Sequence, residues 1–385
     1  MSEIKILHLC TDEKFIDRAI NVFELAYPKQ NILCVYNKGE DIIHIKKKVD
    51  FKAGFKESLL GIDFNKVGHV DVLIVHSLRD FWFRTIEKLH GKIPVVWLGW
   101  GYDYYDLIGG RNMWLLKNTL LFDRGVNESV KQAIKQKILY PKIRRLRVIE
   151  RIGFFSPVIP DEYDILKKIR NWHSFPKQVD WNYGAAEKDL SCYVSEIAED
   201  NSEKKNVLVG NSATSTNNHL EIFDVLKNID IREGRLIIPL NYGDMEYGRK
   251  IQKVATDILG ERADILMDFM PIEEYMNKIS SCGFVIMNHV RQQGVGNIIS
   301  MIYMGAKVFL REENPTFNFL KRNGVTIFSV QDLEKDNQLL LSPLNQSDIN
   351  SNRTIIDNIW SSTVLLEKTK KLISILINKE GKVEA

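Results

Sequence analysis

Two loops in the second half of the sequence combine residue types suited to holding a diphosphate. They are Gly210-Asn-Ser-Ala-Thr-Ser-Thr-Asn-Asn218 and Asn288-His-Val-Arg-Gln-Gln-Gly-Val-Gly-Asn297, both rich in glycine and in small hydroxyl or amide side chains. Each follows an apolar run and leads into a helical pattern. A helix N-terminus presents unpaired N–H groups and a partial positive charge, which favours a phosphate. Gly294 and Gly296 would let the backbone approach a ligand closely, and Arg291 can offset charge on a leaving nucleotide. Singly, each loop reads equally well as a tight strand-to-helix turn. Two in one domain, one with an adjoining arginine, favour a phosphate site. No Gly-Lys-Ser/Thr follows, so neither is a Walker A loop, and the short Gly-Val-Gly is no dinucleotide fingerprint.

The same rule, polar residues just beyond an apolar run, selects His8, Asp12 and His76 in the first half, with the aromatic segment Trp97–Asp106. Asp103 stands among Trp100, Tyr102, Tyr104 and Tyr105. Aromatic faces suit sugar rings, and a carboxylate among apolar rings can have a raised pKa suited to general-base work. Asp103 is therefore the expected base, with Asp12 and His76 behind it; the competing reading is a turn or cap aspartate. Further on, Pro141 can start a helix that places Arg144, Arg147 and Arg151 on one side and Ile143, Leu146 and Ile149 on another. Together with Arg145 these residues form a basic amphipathic segment suited to an anionic membrane surface or a lipid phosphate. An ordinary surface helix fits the spacing equally well. Lys46-Lys47-Lys48 reads as a solvated face.

Positioning such residues requires alternating strands and helices. Ile4–Leu9, Ile32–Tyr36, Val72–His76 and Val95–Leu98 are β-rich runs, and Phe15–Ala26 and Arg79–Leu89 suit intervening helices. A second alternation starts at Asn206 and continues through Leu236, Ile265, Phe284 and Lys307, with helices near 217–228, 246–259, 271–281 and 295–304. This order predicts parallel sheets covered on both faces. The expected division is a first α/β domain 1–170, a linker 171–204, a second α/β domain 205–350 and a C-terminal helix 351–385 returning to the first domain.

The chain has 385 residues, 44% hydrophobic and 27% charged, with a net charge of +3, which gives no global field favouring nucleic acid. No uncharged apolar run reaches the roughly 18 residues of a spanning helix, and the N-terminus lacks signal-peptide features. Cys10, Cys34, Cys192 and Cys282 are scattered without metal or disulfide spacing, so a reduced, cytoplasmic protein is expected.

These loops resemble those of the enterobacterial TDP-4-acetamido-4,6-dideoxygalactose:lipid II transferases of common-antigen synthesis, glycosyltransferase family 56. The resemblance is carried by Val209-Gly-Asn-Ser212 with Asn217 and His219, by Pro239 and Tyr242, by Arg291-Gln-Gln-Gly-Val-Gly296 and by Arg311-Glu-Glu-Asn-Pro315. In the first half it rests on His76, Trp97, Trp100-Gly101, Asp103, Leu139-Tyr-Pro and Arg144-Arg145-Leu146. It implies an α/β GT-B fold of two facing Rossmann-like domains, and inverting transfer without cofactor or metal. It also implies a dTDP- or UDP-sugar donor and a polyprenyl-diphosphate-linked glycan acceptor, met peripherally at the cytoplasmic face of the inner membrane during surface-polysaccharide or O-antigen assembly. The implied donor site comprises Gly210, Asn211, Ser212, Asn217, Tyr242, Arg291, Gln292, Gln293, Gly294 and Gly296. In many GT-B enzymes a glutamate in the helix after the glycine loop binds ribose. Ser300 stands there in this sequence, leaving Glu312 or Glu313 for that role, while Trp100 and Tyr102 would meet the acceptor. A sugar-nucleotide 2-epimerase and a non-catalytic nucleotide-sugar-binding scaffold are the rival readings. The first would act on the donor with no acceptor present, and the second would bind it without turnover.

Overall fold

The computed structural model describes residues 4–89, 91, 93–124, 142–184, 204–231 and 233–377. They contain two wholly parallel sheets. The first runs, in spatial order, β3 (Phe51–Ala53), β2 (Asn31–Tyr36), β1 (Ile6–Thr11), β4 (Val72–His76), β5 (Val95–Leu98), β6 (Phe154–Ser156) and β7 (Lys177–Gln178). The second runs β10 (Ala263–Leu266), β9 (Leu236–Pro239), β8 (Asn206–Val209), β11 (Cys282–Met287), β12 (Lys307–Leu310) and β13 (Phe328–Ser329). The central strands β4, β5 and β11 are buried along their whole length, as continuous apolar runs in helix-covered sheets should be.

Strand order reverses direction between β1 and β4 in one sheet and between β8 and β11 in the other. At such switch points the loops leaving the two strands diverge to opposite faces and open a crevice at the carboxyl ends. Residues following β1, β4, β8 and β11 are therefore the ones the fold offers to ligands.

Two compact units result, and they are not split where the sequence suggests. One takes the described residues of 1–108, 128–184 and 362–385, the other those of 109–127 and 185–361. Residues 109–124 leave the first half because distant groups capture them. Asn218 accepts from the Leu116 amide at 2.8 Å and donates to the Trp114 carbonyl at 3.1 Å. Glu221 accepts from the Asn118 and Thr119 amides, capping the helix Lys117–Arg124. At the other boundary, residues 171–184 are core rather than linker: Trp181 is 2% exposed and its indole donates to Thr369 at 2.8 Å. Residues 185–203 of the expected linker lie outside the described residues, as does Cys192.

The C-terminal helical pattern is two helices. Gln346–Trp360 belongs to the second unit. Ser361, with extended backbone (φ −63°, ψ 158°), separates it from Ser362–Ile377. The latter packs on the helix Ile16–Ala26 through Leu365, Leu372, Ile373 and Leu376. Among the described residues no helix is long and apolar enough to cross a membrane. Cys10, Cys34 and Cys282 are free and buried.

Candidate functional site

In the second unit the loops after β8 and β11 are joined by one side-chain network. Gln293 donates to Asn211 Oδ1 at 3.2 Å and to Thr214 Oγ1 at 3.0 Å, and accepts from Thr216. Deeper in, Asn217 Oδ1 accepts from the Asn211 amide (3.0 Å) and from His289 Nε2 (2.8 Å). Asn288 and Asn218 each donate a side-chain amide to the other's backbone carbonyl, at 2.9 and 3.1 Å. Asn314 holds the carbonyls of His289 and Arg291 while its Oδ1 caps the helix Pro315–Arg322. Amides suit this task because each carries both donor and acceptor and none ionises. Burial pushes His219 and His289 down to about 3, so both rings stay neutral.

This network sorts the expected donor residues into two groups. Ser212 and Asn217 are buried and spend their polar atoms inside the loop, and Gln292 is buried beside them. Ser212 and Asn217 thus shape the site from within. Gly210 is required by its own backbone: φ is +69°, and a Cβ would lie 2.7 Å from Asn217 Oδ1. Gly294 (φ +64°) packs on the Asn211 amide rather than leaving room for a phosphate. Gly296 is different, because a Cβ there would meet nothing within 4 Å. It lies in the first turn of the helix Val295–Tyr303, over open space. Asn211, Thr214, Gln293, Gly296 and Arg291 thus border the crevice. Tyr242, in the loop after β9, is 69% exposed. Glu313 is engaged by Arg311 (3.3 Å) and Gln331 (2.8 Å). Burial alone would raise its pKa, but these partners and its own backbone hold it below the usual carboxylate range.

In the first unit the expected base is elsewhere. Asp103 is 2% exposed and accepts from the Leu78 amide (2.8 Å), the Trp97 indole (2.7 Å) and the Trp100 amide (2.8 Å). Burial raises its pKa, as the sequence suggested, yet the carboxylate is a bracket joining the loops after β4 and β5 and cannot reach a substrate. Asp12 is likewise committed: its two oxygens accept the amides of Ile43, His44 and Ile45 at 2.6 to 2.9 Å.

His76 lies in a buried chain whose tautomers can be deduced. Asn31 donates its amide to Glu24 and to the Tyr27 carbonyl, so its Oδ1 must accept from His8 Nε2 at 3.1 Å. Burial pushes His8 down to about 4, leaving a neutral ring whose Nδ1 accepts from His76 Nε2 at 3.0 Å. His76 is held well below its ordinary value by the same burial, so its Nδ1 accepts from the Tyr183 hydroxyl at 2.8 Å. Every nitrogen of this chain is used, and His76 has no lone pair left for a substrate proton.

What remains at the switch point was passed over in the sequence. The Glu13 side chain, two residues beyond β1, makes no hydrogen bond among the described residues, although the Glu13 carbonyl accepts from the Ile16 amide at 3.1 Å. Partial burial raises its pKa, against the opposing charges of His44 and Arg79. Arg79, beyond β4, is exposed and has no ion pair among the described residues; its guanidinium lies 5.4 Å from the ring centre of Tyr102 and 5.9 Å from that of Phe81. Between β4 and Arg79, Ser77 adopts φ +68°, a strained value for a residue with a Cβ, held by Leu98 and by its bond to the Tyr102 hydroxyl. Phe15, Trp100, Tyr102 and Tyr183 form the aromatic wall of this crevice. Trp100 and Tyr102, the residues expected to meet the acceptor, are both part of it. The rule that found Asp12 reaches Glu13 as well; the two differ only in which one the 43–45 loop captures.

The basic segment also divides. The helix Lys142–Ile149 carries Arg144 paired with both oxygens of Glu87 (2.9 and 3.0 Å), whereas Arg145 turns the other way onto Asp106 (2.7 Å). Leu139-Tyr-Pro, where the helix was expected to begin, lies outside the described residues. Among the described residues no group of three or more His, Cys, Asp or Glu side chains is placed to hold a metal ion.

Two parallel α/β units, each with a switch-point crevice, define the GT-B class of glycosyltransferase. The sequence model described as 4-alpha-L-fucosyltransferase, glycosyl transferase group 56, matches residues 132–352. The chain belongs to that family and is a glycosyltransferase. Its fold is similar to trehalose 6-phosphate synthase from Burkholderia multivorans (TM-score 0.64, 8% identity, 99% of each chain covered). It is also similar to Anabaena Alr3699/HepE in complex with UDP-glucose (TM-score 0.62, 11% identity, 97% of this chain and 100% of that one). A third likeness is a glycosyltransferase from Rickettsia africae (TM-score 0.62, 12% identity, 98% and 99%).

Proposed function

We propose that this enzyme moves a deoxyamino sugar from a dTDP- or UDP-sugar to a polyprenyl-diphosphate-linked glycan, with inversion and without a metal. The observation that carries the donor half is the amide-braced crevice between the loops after β8 and β11, with Gly296 over open space at a helix N-terminus. A rigid ring of neutral donors beside Arg291 is suited to a diphosphate. The Anabaena likeness, a complex with UDP-glucose, supports a nucleotide sugar as the class of donor.

In this reading the acceptor is held against the aromatic wall of the first unit. Glu13 takes the proton of its attacking hydroxyl, whose oxygen bonds to the anomeric carbon. The bond from that carbon to the diphosphate breaks, and its electron pair leaves with the nucleotide. Amides of the first turn at Val295–Asn297 and the Arg291 guanidinium stabilise the departing charge, the role a metal plays in other transferases. Glu13 replaces Asp103 because it is uncommitted and its raised pKa suits a base.

The test is a panel of dTDP-, UDP- and GDP-sugars scored by thermal stabilisation. Binding to the folded state at about 100-fold over Kd adds roughly 2.7 kcal/mol. One dTDP- or UDP-sugar should raise the melting temperature, and Arg291→Ala should reduce the rise. A panel with no stabilising member sinks the donor reading.

A further inference from the structure

The donor crevice is gripped by a part of the chain that carries none of its expected residues. Residues 109–124 come from the first half of the sequence, yet meet the loop after β8 and the helix that follows it, His219–Leu226, at three places. At two of them the later residues do the holding. Asn218 takes the Trp114 carbonyl and the Leu116 amide, and Glu221 takes the amides of Asn118 and Thr119. At the third the direction reverses, and a side chain of the segment reaches the loop. Arg111 donates through Nη2 to Ser215 Oγ at 3.1 Å and to Asp123 Oδ1 at 2.8 Å.

Ser215 is 5% exposed and stands between Thr214 and Thr216, whose hydroxyls both bond Gln293. Gln293 in turn donates to Asn211. A shift at Ser215 is therefore passed to Thr214 and Asn211, two of the groups that border the crevice. Polar loops are ordinarily the mobile parts of a fold, and a mobile loop has to be ordered when its ligand arrives, which weakens binding. A guanidinium suits the task of ordering it beforehand, because its planar fork holds two acceptors in one fixed geometry. Asp123, whose side chain is 13% exposed, anchors that fork.

We propose that Arg111 is a positioning residue of the donor site: anchored on Asp123, it fixes the loop after β8 in its binding shape before the nucleotide arrives. The proposal rests on the donor reading above, and one arm of its test uses no nucleotide, so the two can fail separately.

In the ligand-free chain, hydrogen exchange at the amides of 211–217 should rise at least about fivefold in Arg111→Gln, while β8, β11 and the melting temperature stay as in the native chain. By calorimetry the same variant should bind UDP or dTDP, whichever the native chain binds, about tenfold more weakly. The donor KM should rise with it, and kcat at saturating donor should be kept. Arg111→Lys, which retains the charge without the fork, should recover only part of either loss. Ser215→Ala should weaken binding comparably, and adding Arg111→Gln to it should cost less than roughly a further twofold, because both remove one bond. Should Arg111→Gln fail to fold, Ser215→Ala leaves the ion pair in place and carries the same two readouts.

Unchanged exchange at 211–217, or raised exchange with native nucleotide affinity, overturns the proposal. So do losses that add in the double variant, and so does a lowered melting temperature with exchange raised throughout the second unit, which would make Arg111 a general stabiliser. Raised exchange in a chain whose native form binds neither nucleotide defeats the donor reading and, with it, the part given to Arg111.

Discussion

The two switch-point crevices have the same topology and opposite chemistry. Beyond β8 and β11 the chain places amides and glycines that satisfy one another, with both histidines held neutral by burial. Beyond β1 and β4 it places a carboxylate whose side chain makes no hydrogen bond among the described residues, an exposed guanidinium over Tyr102 and an aromatic wall, with Ser77 strained between them. A network with no charge of its own is rigid and indifferent to pH, which suits binding a charged leaving group. A free carboxylate whose ionised form is disfavoured suits accepting a proton. On the proposed reading, the second unit binds and the first unit reacts.

The comparison is broken most decisively at Glu13. Glu13→Gln should lower turnover by about 10²–10⁴-fold, the usual worth of a general base, while nucleotide binding stays unchanged. A loss smaller than threefold would move the base elsewhere.

Next in size is Asp103→Ala, which strands the donors of Leu78, Trp97 and Trp100 in a buried site and should cost about 3 kcal/mol by denaturant unfolding. If the milder Asp103→Asn keeps full stability yet loses turnover selectively, Asp103 is catalytic after all.

In the second unit, Gln293→Ala removes the link between the two loops. It should weaken nucleotide binding about tenfold, or roughly 1.4 kcal/mol by calorimetry. No change there would mean the loops hold their shape without it.

The smallest effects are in pH. The Glu13 pKa is raised by burial, so the base form is lost as pH falls through that raised value, and an acid limb should appear in the rate. Because the folded state disfavours the ionised form, Glu13→Gln should be slightly more stable than the native chain above that pH and no more stable below it. A gain in acid instead of at neutral pH would reverse the assignment.

Much of the framework was legible because its signals are local. Apolar runs gave the longer strands within a residue or two, while the short β3, β7 and β13 carry no such run. What could not be read was set by distant partners. Asp12 and Glu13 are adjacent and both acidic, and only the backbone of residues 43–45 decides which is consumed. Asp103 among aromatic rings signals burial correctly, but the distant Leu78 amide, together with the nearby Trp97 indole and Trp100 amide, makes its carboxylate a bracket. Residues 109–124 join the second unit through Asn218 and Glu221, some hundred positions away. In the basic helix, spacing cannot tell Arg145, paired with Asp106, from Arg147, which has no partner among the described residues.

The division of labour is tested most directly by calorimetry of UDP and dTDP on the native chain, Gly296→Val and Glu13→Gln. A side chain at Gly296 enters space the protein itself does not use, so that variant should fold normally and bind nucleotide at least tenfold more weakly. Glu13→Gln should bind as the native chain does. Undiminished binding by Gly296→Val, or binding lost in Glu13→Gln, would contradict the assignment of donor and base to separate crevices.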